Sequence, residues 1–401
     1  MDKYVLITGG ELFNKGAQSM TFVAVDEVKK RFPNKKVILL SSADYERSED
    51  EKGQYKFEIL PFNTGINLEL LGGLYKLLWN AKGNKKDKKN YEPMLTKLRS
   101  ILKNTDAIID ISGYALSSQF GAGRSFGYLS RIMLAKKYNI KMYLMPQSFG
   151  PFSYSGVGKV LINSLMKQNM KYPEVVYARE QEGFELLEKQ YSLKNIKKSF
   201  DLVLLNKGVD LTNVYNSVPI LKNFDEVEGV AIVPNMKNFK HGNTSQVMAL
   251  YDNIINKLIG SGKNVYLIRH SFEDIEACKM IKERFKTNNK VIMYGEDMSC
   301  FEFDKLVQRF DFIIGSRFHS IVHAYKNSIP CIALGWATKY HELLKAFKQE
   351  DYIFDVRGDL QADKVERALD KMLMQHQSES NVIKDSLIKL QNHNVFDVIK
   401  K

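Results

Sequence analysis

The chain has 401 residues, of which 44% are hydrophobic and 26% are charged, and its formal net charge is +13. This composition is typical of a globular protein, and the length predicts two domains of about 200 residues each. No stretch reaches the roughly 18 uninterrupted apolar residues that a membrane-spanning helix needs. The start, MDKYVLITGG, leads directly into a strand without a visible secretion signal, so we expect a cytoplasmic protein.

Basic residues and cysteines narrow the kinds of partner and chemistry. The 59 basic residues outnumber the 46 acidic ones, are mostly dispersed, and include no nucleic-acid recognition motif, so no nucleic-acid partner is expected. Anionic small substrates or an anionic membrane surface would use the same positive field. Cys278, Cys300 and Cys331 are widely spaced and odd in number, which predicts reduced core thiols rather than disulfides or metal ligands.

Short apolar runs alternate with segments of helical spacing along most of the chain. Strands that are buried on both faces and joined by helices form a parallel, doubly wound sheet, so the pattern predicts an α/β fold. In chain order the predicted strands are KYVLIT, KKVILLS, DAIIDIS, IKMYLMP, VVYA and IKKSFD, and then GVAIVP, KNVYLIR, KVIMY, FDFIIGS, IPCIALG and DYIFD.

A looser stretch near residues 205–228 interrupts this alternation. The pattern therefore predicts two Rossmann-like parallel-sheet domains, residues 1–210 and residues 211–376, which face each other across a cleft. A polar helical stretch, residues 377–401, ends the chain and is expected to cross back to the first domain.

Residues 66–90 break the pattern of the first domain with an apolar helix followed by lysines. One interpretation is an in-plane membrane contact with the lysines on anionic headgroups, which would place the protein peripherally on the inner face of the membrane. The other is a core-packed helix followed by a solvated loop. The apolar side chains are Leu68, Leu70, Leu71, Leu74, Leu77, Leu78 and Trp79, and the lysines are Lys82, Lys85, Lys86, Lys88 and Lys89.

Ligands of open parallel sheets bind beyond the carboxyl ends of the strands, where helix N-termini offer backbone donors to anions. The stretch TGGELFNKGAQSM follows the first strand and places Asn14, Lys15 and Gly16 at the start of a helix. It is neither a GxGxxG nor a Walker motif, so no motif supports nucleotide binding. A plain strand-to-helix turn explains the glycines equally well.

Two further loops follow strands of the first predicted domain. DISGYALSSQFGAGRSFG, residues 110–127, includes Ser112 and has the glycines and serines of a loop that wraps a polar ligand, or of a flexible surface loop. In MPQSFGPF, Pro146 and the following glycine and proline predict a sharp exit from the strand that presents Gln147 and Ser148. A rigid turn without function is the alternative.

The stretch IGSRFHSIVHA, residues 314–324, places polar groups directly after a buried strand. Ser316 is expected to cap a helix whose first turn carries Arg317 and His319. An arginine offers a planar fork that matches carboxylate or phosphate, and a histidine in a helix first turn favours its neutral form. The pair therefore predicts a site, whereas His323 is expected to pack behind it.

Motifs of other enzyme classes are missing. The sequence has no convincing DxD motif for a metal-held nucleotide sugar, no GxSxG elbow and no HExxH zinc motif. What remains is a transferase that handles an anion without a metal or cofactor.

The chain resembles the polysaccharide pyruvyl transferase family over roughly residues 4 to 350. The resemblance is carried by NKGAQSM, PQSFGPF, YAREQEGFELL and above all GSRFHSIVHAYKNSIPCIALGWATKY. Members of this family resemble type-B glycosyltransferases in having two facing Rossmann-like domains. The resemblance implies transfer of a pyruvyl group from phosphoenolpyruvate to a sugar of a bacterial surface polysaccharide or its lipid-linked precursor.

The resemblance also implies roles for particular residues. The arginine and histidine of the family's SRxH motif map onto Arg317 and His319, which we expect to be catalytic, and its first turn maps onto Asn14 to Gly16. The expected donor-binding residues are Arg317, Ser316, Ser320, Lys339, Lys237 and Arg269, and the expected acceptor-binding residues are Asn14, Lys15, Gly16, Ser112, Gln147 and Ser148.

Two other functions stay open at this point. One is a glycosyltransferase that uses a nucleotide sugar on the same scaffold. The other is a non-catalytic scaffold in glycan assembly that contacts the membrane through residues 66–90.

Overall fold

The computed structural model describes residues 2–74, 88–335, 338–358 and 361–399, without the side chains of 88–91 and 338. Within these ranges the strands are β1 Tyr4–Thr8, β2 Lys36–Leu40, β3 Glu58–Leu60, β4 Thr105–Asp110, β5 Tyr114–Leu116, β6 Lys141–Phe149, β7 Val175–Ala178, β8 Ile196–Lys198, β9 Gly229–Val233, β10 Val265–Ile268, β11 Val291–Tyr294, β12 Phe310–Gly315, β13 Cys331–Gly335 and β14 Ile353–Asp355.

The helices that the structure describes in full are α1 Lys15–Arg31, α2 Ser42–Tyr45, α3 Glu49–Gly53, α4 Thr64–Leu71, α5 Lys88–Lys103, α6 Gly121–Lys137, α7 Gly156–Asn169, α8 Gln181–Tyr191, α9 Leu202–Leu205, α10 Leu211–Val214, α11 Met236–His241, α12 Thr244–Gly260, α13 Ile275–Arg284, α14 Cys300–Val307, α15 Phe318–Lys326, α16 Thr338–Ala346 and α17 Ala362–Leu390. Short 3₁₀ helices lie at Ser118–Phe120, Phe272–Asp274, Glu350–Tyr352 and Val395–Val398.

The strands form two parallel sheets. The first has the order β3-β2-β1-β4-β6-β7-β8, with β5 beside β6, and the second has the order β11-β10-β9-β12-β13-β14. Phe312, Ile313 and Ile314 of β12 are fully buried in an uninterrupted apolar run, as expected for a strand whose two faces are both covered. The predicted α/β fold of two parallel-sheet units is confirmed.

Two details of the strands differ from prediction. β6 continues through Pro146 to Phe149, so the expected exit at Pro146 is wrong. The pairing of β6 with β7 shifts register between Leu144 and Gln147, and proline is tolerated at such an irregularity because no ladder hydrogen bond is lost there. The short strands β3 and β5 were not predicted from the sequence.

The end of the chain also differs in detail. The last helix begins at Ala362 rather than at residue 377, and it ends at Leu390. Beyond it, Asn394 donates a hydrogen bond to Glu27 (Nδ2 to Oε2, 3.1 Å), and Asp397 pairs with Arg31 at 2.7 Å. Glu27 and Arg31 belong to α1, so the last residues of the chain lie against the first helix. The exact domain boundaries stay a prediction.

The predicted insertion is only partly described. Helix α4 packs against α6 and buries Leu68 and Leu70, whereas Leu74 is 67% exposed. Residues 75–87, with Trp79 and most of the lysines, lie outside the described residues, so the membrane contact stays a prediction. No described helix is long and apolar enough to cross a bilayer.

Helix α1 joins the two sheets and thereby positions the site. Phe22 in α1 stacks on Phe301 in α14, with ring centroids 5.4 Å apart and planes 11° apart. The two helices belong to different halves of the chain. Because α1 is packed against both halves, its N-terminus lies in the cleft between them.

Candidate active site

The turn after β1 links the two halves at the start of α1. The Oδ1 atom of Asn14 accepts a hydrogen bond from the backbone N–H of Gly16 (3.0 Å), which caps the helix. Its Nδ2 atom donates to the Oγ atom of Ser271 in the second half (3.2 Å). One asparagine therefore fixes both the helix start and its place against the opposite lobe.

Gly16 provides the space into which His319 fits. A Cβ atom at residue 16 would lie 2.1 Å from Cγ and 2.3 Å from Nδ1 of His319. Any side chain there would displace the imidazole. The glycine that sequence analysis associated with the first turn and the histidine of the SRxH motif thus meet across the cleft.

His319 faces a carboxylate and an arginine of the first half. Its Nε2 atom lies 3.4 Å from Oδ2 of Asp201, and the same oxygen accepts a hydrogen bond from Nη1 of Arg179 at 2.6 Å. Burial lowers the pKa of His319, and the nearby charge of Arg179 adds to this, whereas Asp201 opposes it. His319 is therefore a neutral base when no further anion is present.

Arg179 is buried and held from several sides. Its Nη2 atom donates to the carbonyl oxygen of Gly113 (2.9 Å) and to Oγ of Ser148 (2.7 Å), and Ser148 in turn donates to Glu180 (2.8 Å). Burial alone would raise the pKa of Asp201, but His319 and Arg179 lower it below its usual range. Arg179 follows directly after β7, and Asp201 lies three residues after the end of β8. The sequence had suggested a role for neither residue.

Lys339 completes the cationic side of this site. Its ammonium lies over the rings of Phe318 (5.1 Å), Tyr114 (5.6 Å) and Tyr340 (5.8 Å). Within the described ranges no carboxylate is recorded within 4 Å of it. Burial, together with the charges of Arg179 and other cations, lowers its pKa to about 8, although Glu180 acts in the opposite direction.

A cleft of about 420 Å³ opens beside Arg179, Asp201 and Lys339, and His319 adjoins it through Asp201 rather than as part of its lining. Arg179 and Asp201 line it from the first half, and Phe318 and Lys339 line it from the second. A three-carbon anion fits this volume. Among the described residues on its walls, the four cations outnumber the three carboxylates Glu180, Asp201 and Glu342, which suits an anionic ligand.

The sequence profile of one family matches this arrangement. The profile described as "Polysaccharide pyruvyl transferase" matches residues 14–338, which include the α1 turn, Arg179, Asp201 and the His319 helix. The chain belongs to the polysaccharide pyruvyl transferase family. It is therefore an enzyme, a transferase of polysaccharide biosynthesis whose acceptor is a sugar or polysaccharide. No functionally curated protein is similar to the chain.

Solved structures share the fold of this pyruvyl transferase at low sequence identity. The UDP-GlcNAc 2-epimerase of Methanocaldococcus jannaschii is 14% identical with a TM-score of 0.54, and the match covers 96% of this chain and 99% of the epimerase. A glycosyltransferase from Rickettsia africae is 12% identical with a TM-score of 0.53, over 100% and 99% of the two chains. The Medicago truncatula protein UGT71G1, complexed with UDP-glucose, is 10% identical with a TM-score of 0.51, over 98% and 97%. These likenesses show the two-lobed fold alone.

The helix that carries His319 begins one residue later than expected. Arg317, not Ser316, is the N-cap of α15 in the pyruvyl transferase, and no side chain caps the helix. Ser316 is fully buried. Its Oγ atom is hydrogen-bonded to the hydroxyl of Tyr251 (3.1 Å), and its carbonyl oxygen accepts a hydrogen bond from the hydroxyl of Tyr340 (3.1 Å). The expected cap is therefore wrong, and Ser316 instead fixes the end of β12.

Arg317 is already paired in this structure. Its Nε and Nη2 atoms donate to the carboxylate of Asp274 at 2.8 and 2.6 Å, and Nη2 also contacts Glu273. Lys237, another expected donor ligand, is exposed nearby, and its charge lowers the pKa of Lys339 further, after burial and the charge of Arg179. Arg317 is thus held in place by two carboxylates that balance its charge.

Several other predicted residues support the site from behind. Ser320 is buried and donates to the carbonyl of Arg317 (2.7 Å), Gln147 is fully buried and bonds to Tyr128 (2.9 Å), and Ser112 accepts from Arg131 (2.9 Å). Gln147 in particular presents no exposed atoms to an acceptor, because Pro146 continues the strand instead of ending it.

His323 is buried as predicted. Its Nδ1 atom lies 2.5 Å from Oδ1 of Asp304, and its Nε2 atom lies 3.1 Å from Oγ of Ser19 in α1. This Ser-His-Asp arrangement is sealed in the core, so it ties α1 to the second half rather than acting on a substrate.

Lys15 and Arg269 lie on the other side of the α1 start. Both pair with Asp297, at 3.5 Å and 3.1 Å respectively. They are therefore brought together with each other but not into the cleft of Arg179 and Lys339. Among the described residues no group of three or more histidine, cysteine, aspartate or glutamate side chains could hold a metal ion.

Proposed function

We propose that this enzyme takes its pyruvyl group from phosphoenolpyruvate and transfers it to a hydroxyl of a sugar in a bacterial surface polysaccharide or its precursor. The observation that carries this proposal is the crowding of cations around Lys339. A half-buried ammonium that has no carboxylate partner within the described ranges, and that is flanked by the charge of Arg179, is stabilised when an anion binds. Phosphoenolpyruvate carries both a phosphate and a carboxylate.

The proposed roles follow from the positions of the cations. Arg179 adds its charge from a position fixed by Asp201, Gly113 and Ser148, and Lys339 adds a compact charge. The N-terminus of α15 offers backbone N–H groups to the same anion. Arg317 is balanced by the carboxylates of Asp274 and Glu273, so we assign it no direct contact with the donor.

His319 is the proposed acid and base. The negative charge of bound phosphoenolpyruvate would raise the pKa of the ring, so that the imidazole takes up a proton that Asp201 stabilises. Transfer of this proton to the methylene carbon makes the central carbon electrophilic. A sugar hydroxyl adds to that carbon, its proton returns to the neutral His319, and inorganic phosphate leaves. Attack by a second hydroxyl of the same sugar would close a cyclic ketal.

The two functions left open by the sequence have weaker support. Membership of an enzyme family argues against a non-catalytic scaffold. A nucleotide-sugar glycosyltransferase is supported by the shared fold alone, and that fold hosts several chemistries. Contact with the inner face of the membrane through residues 66–90 remains a separate prediction.

The test is to separate donor binding from turnover in a His319→Gln variant. Loss of a general acid–base group is expected to lower turnover by about 10²- to 10⁴-fold while the thermal stabilisation by phosphoenolpyruvate is retained. Release of inorganic phosphate from phosphoenolpyruvate in the presence of acceptor glycan measures turnover. Thermal melting with phosphoenolpyruvate measures donor binding. Near-normal turnover would refute the role of His319.

A further inference from the structure

A second cleft, of about 770 Å³, opens at the start of α1 and takes no part in the donor binding described above. Lys15 and Arg269 lie at its base, and Phe13, Ile220 and Phe272 are part of its lining. It is separate from the cleft of Arg179 and Lys339, so it can bind a different ligand.

The base of this cleft holds two buried cations and one exposed carboxylate. The side chains of Lys15 and Arg269 are only 5% and 9% exposed, whereas that of Asp297, which contacts both, is 82% exposed. Burial is costly for a cation unless an anion compensates it, and among the described residues these two cations share one carboxylate, that of Asp297, while Arg269 also donates to the carbonyl of Glu296 (3.3 Å). Asp297 can swing away without losing buried contacts, so an entering anion can take its place.

The other carboxylates that line the cleft are already satisfied. Glu51 bonds to Arg47 (3.1 Å) and to the backbone N–H of Ser48 (3.2 Å). Glu302 accepts from the backbone N–H of Ser299 (2.8 Å) in a helix cap. Neither is aimed at Lys15, so the net charge at the base of the cleft is positive.

Exposed apolar side chains line part of the cleft, beside polar ones such as Arg47, whose guanidinium lies 4.0 Å from the ring centroid of Phe13. Phe13 is 57%, Ile220 is 99% and Phe272 is 80% exposed. Buried cations beside exposed apolar side chains match a ligand whose anionic head is attached to a less polar body.

We propose that this cleft binds a phosphate ester, with Lys15 and Arg269 contacting the phosphate oxygens in place of the carboxylate of Asp297. The assignment of this ester to the acceptor of the transfer rests on the function proposed above. Lys15 directly precedes Gly16, on which His319 lies, so a phosphate-bearing acceptor held at Lys15 would be anchored next to the reacting groups.

Calorimetric titration of the full chain with inorganic pyrophosphate and with farnesyl diphosphate below its micelle concentration tests the site. Substitutions Lys15→Met and Arg269→Met each remove a charge-assisted contact, and each is expected to weaken pyrophosphate binding by about 10- to 100-fold. Asp297→Asn removes the competing carboxylate and is expected to strengthen pyrophosphate binding. Misfolding cannot produce such a gain.

Lys222→Met is the matched control. Lys222 pairs with Glu296 next to this cleft but does not line it, so its loss should leave pyrophosphate affinity unchanged. No pyrophosphate binding by the wild type, or binding that survives in both Lys15→Met and Arg269→Met, would overturn the site.

Comparing pyrophosphate with farnesyl diphosphate shows whether the phosphate belongs to a lipid or to a water-soluble sugar. Both outcomes support a phosphate site. Tighter binding of farnesyl diphosphate, which falls to the level of pyrophosphate in Phe272→Ser, identifies a lipid-linked ester. Equal affinity identifies a water-soluble sugar phosphate. Thermal stabilisation by phosphoenolpyruvate should persist in Lys15→Met, so its absence in wild type would count against the proposed donor and not against this cleft.

Discussion

The imidazole of His319 lies on the backbone of Gly16, at a place where a Cβ atom would come within 2.1 Å of the ring. The two residues belong to different halves of the chain and are 303 positions apart by their numbers (319 minus 16). The start of α1 therefore acts as a platform that sets the position of the proposed acid relative to Asp201.

Substitution of Gly16 by alanine should displace His319 and abolish most activity. A shift of about 1 Å in a catalytic group can cost roughly 100-fold in rate, so we expect a loss of that order in phosphate release from phosphoenolpyruvate. Gly260→Ala is the control, because a Cβ atom there meets no atom within 4 Å. If Gly16→Ala keeps full activity, His319 does not need this position.

Substitution Asp201→Asn should lower activity and shift its pH dependence. Without the carboxylate, the pKa of His319 loses the interaction that raises it, so the activity optimum is expected to move to lower pH. The asparagine can still cap α9 through its side-chain oxygen, which now accepts from Val203. Asp210→Asn is a matched control, because Asp210 caps α10 in the same way but is exposed. An unchanged pH profile would contradict the pairing with His319.

Substitution Arg179→Met should destabilise the protein and remove donor binding, for two separable reasons. It leaves the buried Asp201 without its cation, which costs about 3–5 kcal/mol of unfolding free energy. The double variant Arg179→Met with Asp201→Asn should recover most of that stability in urea unfolding but should not recover thermal stabilisation by phosphoenolpyruvate. Recovery of both would mean that Arg179 is structural only.

The stability of the protein should fall in mild acid because of His270. His270 is buried, and neither of its ring nitrogens has a hydrogen-bond partner in the part of the chain that the structure describes. Burial, followed by the charges of His323 and Lys15, lowers its pKa well below 6.5. Below about pH 6.5 the unfolded chain binds a proton that the folded chain does not, so the unfolding free energy falls as pH falls, by up to about 1.4 kcal/mol per pH unit.

Urea unfolding between pH 7 and pH 5 checks this expectation. His270→Phe should flatten the decline, since a phenyl ring packs beside Phe303 and has no proton to take up. His393→Phe, at an exposed position, should leave the slope unchanged. An equal slope in wild type and His270→Phe would show that the acid sensitivity originates elsewhere.

The fold was predictable from the sequence because it depends on local patterns. A run such as FDFIIG predicts a strand buried on both faces, and its neighbours along the chain repeat the pattern with helical spacers. Pro146 was misjudged because proline was taken to end a strand, whereas the structure accommodates it at a register shift.

The site was predictable only in part. His319 and Lys339 carry their signal in one motif, but Arg179 and Asp201 gain their role from contacts with the opposite half, which no local pattern encodes. Their position just beyond β7 and β8 could have indicated a role, because ligands of open parallel sheets bind beyond the carboxyl ends of the strands, and this applies to every strand of the sheet. Lys15 and Arg269 were assigned to different ligands although Asp297 joins them.

The most direct test of the central claim is thermal melting of the wild-type protein with phosphoenolpyruvate, compared with uridine and guanosine diphosphates. A ligand at 100 times its dissociation constant stabilises the native state by about 2.7 kcal/mol, which raises the melting temperature by a few degrees. We expect a rise with phosphoenolpyruvate that disappears in the double variant Arg179→Met with Asp201→Asn. A rise with a nucleotide diphosphate and none with phosphoenolpyruvate would contradict it.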